Sequence, residues 1–239
     1  AAACKHNKEE EKDEQNETHC SRLGSKITAF TDIGHGIGIQ VMMAAWSPLN
    51  VFARGIELME ERNEIAKLIR DGIIDETRQD PPDETKCDFR QEDLMNAGCM
   101  GSERDEELRQ YLLFQDKPVA IQQGLVIFVN NAEEVFASRA NDTGCGASLD
   151  EHIAELFGNM LVGGRMVTLT DIRVHLTSKE DAKWYHYESF DSGIGAVSWS
   201  PNKSVKVHVL IKISDDWICS DARCNSIFGA SAVVDDEGK

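Results

Sequence analysis

Between Phe30 and Gln40 the chain reads FTDIGHGIGIQ, with glycines at 34, 36 and 38 and an acid, Asp32, just ahead of them. Glycine at that density lets a backbone turn sharply and come close to a neighbour. The flanks decide what the turn joins. ITAFTDI before it reads as a strand, and GIGIQVMMAAW reads as a helix that begins inside the turn. A strand running through a glycine turn into a helix opens a doubly wound α/β sheet. It presents backbone N–H groups and a helix N-terminus at the carboxyl end of that sheet.

The alternation continues. NVFARGIE reads as a second strand ending at Glu57, and LMEERNEIAKLIRDG as a helix with Leu58, Ile65 and Ile69 on one face and Gly72 as its stop. Paired prolines make residues 75–85 a loop. KCDF is a short strand, followed by a helix capped by Ser102 and carrying Leu108 and Leu112. LVIFVNN has an unbroken apolar run, as expected of a parallel strand covered on both faces. A long loop follows, over residues 131–147. Ser148 and Glu151 then form a capping box for a helix with the stripe Leu149, Ile153, Leu156, Phe157 and Met160. Gly163 and Gly164 end it, and RMVTLT is the next strand. From there helices cease: AKWYHYESF, AVSWS and SVKVHVLIKI read as strands joined by turns. The pattern predicts an α/β fold, a mostly parallel Rossmann-like sheet with an antiparallel terminal hairpin. It spans residues 27–213, between a polar arm over 1–26 and an acidic tail over 214–239.

Composition narrows the partners. Asp and Glu outnumber Lys and Arg by 42 to 25, for a formal charge of −17. A chain that grips nucleic acid unaided needs a basic patch for the phosphates; this one has no basic run and suits a basic partner. The seven cysteines are odd in number and scattered, with no CxxC pair, so neither a disulfide framework nor a metal site is expected. Free thiols fit a reducing compartment. No apolar run is long enough to cross a membrane, and the first residues carry no apolar core of a secretory signal.

The glycine turn suits a nucleotide or nucleoside ligand. A dinucleotide fingerprint needs a third glycine where this chain has Ile39. The pattern is instead D-x-G-x-G-x-G, and a carboxylate at Asp32 suits a cationic amino-acid group better than a pyrophosphate. That points to S-adenosylmethionine, although an ordinary glycine-rich turn has the same look. Glu57, 19 residues after Gly38, ends the next strand, where an acid can accept from both ribose hydroxyls. In CDF, Asp88 can accept from an adenine amino group and Phe89 can pack on the ring. Singly, Asp88 reads as a turn or cap residue and Phe89 as core. Their order at successive strand ends gives the set its weight.

VIFVNN, then LDEHIAELFGNMLVGGRMVT, then AVSWS complete a further pattern. Over about residues 27–213 the chain resembles the catalytic domain of the disruptor of telomeric silencing methyltransferases. These are histone H3 lysine methyltransferases with a class I, seven-stranded fold and no SET domain. The resemblance implies S-adenosylmethionine as cofactor. It implies that Phe30, Asp32, Gly34, His35, Gly36 and Gly38 form the loop on its methionine side. It places Glu57 on the ribose and Asp88 with Phe89 on the adenine. Asn130 falls beside the donated methyl in the lysine channel, as both a catalytic and a cofactor-binding residue. It further implies a nuclear location, histone H3 in nucleosomes as substrate, basic histone tails on the acidic surface, and only weak direct DNA binding. The chain departs from the family after the Asn pair, where AEEVF replaces aromatics, and near Lys206–His208, where no tyrosine stands.

The mechanism this reading implies is in-line displacement of a sulfonium methyl by a lysine amine. No residue announces itself as an obligatory base; His35 is expected to face solvent and Trp199 to pack in the last hairpin.

Overall fold

The computed structural model of the chain describes residues 26–49, 51–77, 86–94, 103–130, 148–176, 184–193 and 204–215. Its strands, in chain order, are β1 (Ala29–Ile33), β2 (Phe52–Glu57), β3 (Cys87–Gln91), β4 (Leu125–Val129), β5 (Arg165–Thr168), β6 (Tyr185–Asp191) and β7 (Lys206–Lys212). Its helices are α1 (Ile39–Ala45), α2 (Glu60–Thr77), α3 (Glu103–Leu112), α4 (Val119–Gln122) and α5 (Leu149–Gly158), with a 3-10 turn at Ile172–His175. The seven strands form one sheet in the order β3-β2-β1-β4-β5-β7-β6. Pairs from β3 through β5 are parallel, and β7 is antiparallel to both β5 and β6. This is the Rossmann-like sheet with an antiparallel terminal hairpin that the sequence predicts.

Each face of the sheet has its own core. On one, Ala29, Ile33, Ile56, Ile127 and Val129 pack with Leu108 and Leu112 of α3 and Ile153 and Phe157 of α5. On the other, Ala53, Cys87 and Phe89 pack with Val41 and Met42 of α1 and Ala66 of α2. Side chains alternate along each strand, so directly paired residues share a face. Near the carboxyl end one row crosses all seven strands: Arg90, Ile56, Ile33, Val129, Thr168, His208 and Ser189.

Two buried cations lock elements together. Arg54 on β2 pairs with both oxygens of Asp116 at 2.8 Å and donates to the Tyr111 carbonyl at 2.7 Å, which caps the end of α3. Lys212 donates to the Gly158 and Met160 carbonyls at 2.8 and 2.7 Å and does the same for α5. Cations at helix C-termini satisfy carbonyls that have no partner within the helix.

Three local expectations change. α2 runs through Gly72 to Thr77, because Gly72 lacks the left-handed φ of a helix-ending glycine. Its buried face carries Asn63 and Ala66, both fully buried, while Ile65 is 44% exposed. β4 alternates, with Leu125, Ile127 and Val129 buried and Val126 and Phe128 half-buried. The capping box at Ser148 and Glu151 is present as read. Ser102, the loop over 131–147 and AVSWS with Trp199 lie outside the described residues.

Candidate functional site

The glycine turn leaves β1 with Gly34, Gly36 and Gly38 at φ of 80°, 59° and 80°. All three lie in the left-handed region, which a side chain strongly disfavours. Gly34 and His35 donate to the Ile56 carbonyl at 2.8 and 3.2 Å, tying the turn to β2. Glu57 completes the tie. Its Oε2 accepts from the Gly36 N–H at 2.8 Å, and its Oε1 accepts from the Met59 N–H at 3.0 Å.

A cavity of about 340 Å³ opens beside this tie, lined by Ile33, Gly34, Ile56, Glu57, Val129 and Asn130 from the ends of β1, β2 and β4. Leu58, Met59, Arg62, Glu92, Asp93, Leu94 and Leu149 complete the wall. A cleft at the carboxyl ends of a doubly wound sheet, where β1 and β4 diverge, is where such folds bind ligands. The Asn130 Oδ1 is buried with no hydrogen-bond partner, an acceptor at the wall that a ligand donor could satisfy.

The structure divides the expected site residues. Gly34, Glu57 and Asn130 line the cleft. Asp32 and His35 lie beneath the glycine turn, 2% and 4% exposed, so neither faces solvent. Phe30 is half-buried and packs against the core under α1. Burial, with the Glu57 charge added, pushes the Asp32 carboxyl up to about 7. Burial also holds the His35 imidazole below its ordinary value, against the opposing pull of Glu57.

Asp88 and Phe89 are not at the cleft wall. β3 runs on to Gln91, so these two sit near its beginning, paired with Arg54 and Gly55. Phe89 is core, and its ring packs on His35 with centroids 4.8 Å apart. A Cβ added at Gly38 would stand 2.6 Å from the Phe89 ring, so the ring supports the glycine turn from below. Asp88 lies 3.9 Å from Arg90, away from the cleft. The acids at the wall beyond β3 are Glu92, which pairs with Arg104 at 2.9 Å, and Asp93. The signal for them is the acid pair directly after Gln91, once the strand's true end is known. Among the described residues no group of three or more His, Cys, Asp and Glu could hold a metal. Among them, too, no helix is long and apolar enough to cross a membrane.

No protein-family model and no curated protein matches the chain. Among solved structures it is similar to an rRNA methylase from Streptococcus thermophilus, at 11% identity and TM-score 0.45, with 86% of this chain and 100% of that one covered. It is similar to precorrin-6y C5,15-methyltransferase from Geobacter metallireducens, at 11% identity and TM-score 0.41 over 82% and 87% of the two chains. PKMT2 from Rickettsia typhi, in complex with AdoHcy, aligns at 13% identity and TM-score 0.34 over 60% of this chain, which spans 21% of that protein's length. Likeness at this level goes no further than the arrangement of strands and helices, and the fold assignment rests on the strand order itself.

Proposed function

We propose that the chain is an S-adenosylmethionine-dependent methyltransferase whose acceptor is a lysine of histone H3 in the nucleosome. The observation that carries the cofactor is the cleft wall itself: a left-handed glycine turn, a carboxylate at the end of β2 and an unpartnered amide oxygen at Asn130. The residues fit the group. Gly34 and Glu57 would hold its sugar and amino-acid portions, with Asp93 in the role first read for Asp88. Bound S-adenosylmethionine supplies an electrophilic methyl carried on a sulfonium. The lysine acceptor and nuclear location are supported by the resemblance at VIFVNN and GNMLVGGRMV.

The chain's own contribution is placement. Ile33, Ile56 and Val129 make an apolar floor that excludes water, and such a floor favours a neutral amine over an ammonium. Asn130 orients the amine through its free carbonyl oxygen. The test is calorimetric titration with S-adenosylmethionine, then labelled-methyl transfer to nucleosomes, free histones, RNA and small amines. Glu57→Gln is expected to weaken binding about tenfold, the size of one charged hydrogen bond. Unchanged affinity removes Glu57 from the cofactor site. Transfer to RNA or small amines but not to histones replaces the acceptor and leaves the cofactor reading standing.

A further inference from the structure

The cleft has no aromatic ring where the cofactor's base would lie. Phe89, read from the sequence for that place, is core beneath the glycine turn, and none of the described residues lining the cavity is Phe, Tyr or Trp. The wall runs from Asn130 and Gly34, at the ends of β4 and β1, past Glu57 to Glu92, Asp93 and Leu94 beyond β3. A cofactor laid along it with its methyl near Asn130 carries its purine to the β2 and β3 end. There the wall is apolar side chains, Leu58, Met59 and Leu94, with one cation among them, Arg62.

Arg62 stands apart from the acids of that wall. Both oxygens of Glu57 accept from the Gly36 and Met59 N–H groups, and Glu92 pairs with Arg104. Among the described residues Arg62 itself makes no ion pair and no ring contact. The helix gains nothing from it either. Arg62 lies in the first turn of α2, where the backbone already presents its positive end. Three and four residues away stand Met59, Ile65, Leu58 and Ala66, so no acid reaches it along the helix. Met59 beside it is 45% exposed, a large apolar side chain at the mouth of the cleft.

We propose that the Arg62 guanidinium stacks on one face of the cofactor's purine, with Met59 and Leu94 as its apolar partners around the ring. The proposal rests on the methyltransferase reading above and gives Arg62 the place first read for Phe89. A guanidinium is flat and weakly hydrated, so it stacks on an aromatic face as an ammonium does not. A thioether beside the ring adds a polarizable contact. The purine's exocyclic amine lies at its edge, where Glu92 and Asp93 offer carboxylates, and its faces are left to be covered. The other partner a free guanidinium takes is an anion. The cofactor's only anionic group is the carboxylate of its amino-acid portion, which belongs at the glycine turn and away from Arg62.

Calorimetric titration of the wild type, Arg62→Ala and Arg62→Lys with adenosine and with S-adenosylmethionine tests this. Arg62 is exposed, so the three ligand-free proteins are expected to melt together. Arg62→Ala is expected to bind both ligands about fivefold more weakly. Arg62→Lys should recover little of that loss, because it restores the charge without the plane. The loss should also survive about 1 M salt, which screens an ionic contact far more than a stacked one. A loss confined to S-adenosylmethionine, or one restored by lysine, assigns Arg62 to an anionic group and overturns the stacking role. Wild-type affinity of Arg62→Ala for both ligands also overturns it, and leaves the cofactor reading standing. A wild type that binds neither adenosine nor S-adenosylmethionine overturns both.

Discussion

Asp32 carries a cost that its position explains. It is paired in register with Gly55 and Phe128, 2% exposed, and its Oδ1 has no hydrogen-bond partner. Its carboxyl titrates at about 7 in the fold against 3.8 unperturbed. Below 3.8 both the folded and unfolded chains hold the proton, and the group is neutral to stability. As pH rises toward 7 the unfolded chain ionises first, so stability falls; above about 7 the full penalty, on the order of 4 kcal/mol, is present. Asp32→Asn should therefore melt several degrees above the wild type on the alkaline side of 7, with the gap closing as pH drops toward 3.8. Thermal melts across that range decide it. The sequence showed an acid at the end of β1, but it could not show on which side of the glycine turn the side chain lies. That depends on the alternation of β1, which buries Asp32 and leaves Ile33 to line the cleft.

At the scale of elements, the glycines separate two kinds of demand. Gly72 lies inside α2 with open space where a Cβ would stand. Gly72→Ala should stabilise the protein by about 0.5–1 kcal/mol, the usual cost of glycine in a helix. Gly38 is the opposite case: φ is +80° and a Cβ would meet Phe89 at 2.6 Å. Gly38→Ala should cost roughly 2–4 kcal/mol from backbone strain and overpacking together. Denaturant midpoints of the two variants are expected to shift in opposite directions; a shift in the same direction overturns the Gly38–Phe89 packing. The same contrast explains what could be read in advance. The Ser148 box and the stripe on α5 were legible because both are written in local spacing. The face of α2 was legible only in part: of Leu58, Ile65 and Ile69, Ile69 packs against the core, Ile65 is 44% exposed and Leu58 precedes the helix. Close packing onto the glycine turn instead selects Ala66, which would lie 3.0 Å from a Gly38 Cβ. Asp88 and Phe89 fall short of the cleft wall for a related reason. The acids that line the cleft, Glu92 and Asp93, follow the strand's end, and a strand's end is set by its pairing partner more than by its own residues.

For the whole molecule, charge decides which partners the surface admits. Topology was legible because alternating β and α followed by β alone leaves few sheets to build, whereas the composition says of a partner only what sign of charge suits a net charge of −17. Some of that charge is already used internally. Arg54, Arg104, Arg109 and Arg173 each pair with a carboxylate, so much of the described positive charge is occupied. What remains on the surface is an excess of acid, which repels phosphates and attracts polycations. The chain is expected to bind a basic histone-tail peptide at low ionic strength and to release it as salt approaches a few hundred millimolar, where the screening length falls below about 8 Å. Duplex DNA should bind weakly at every salt concentration, since the sequence holds no basic run to neutralise phosphates and release counterions. Fluorescence anisotropy with both ligands across a salt series separates the cases. Tight DNA binding with a steep salt slope would overturn this reading of the charge. The acidic field would then have no part in choosing the substrate.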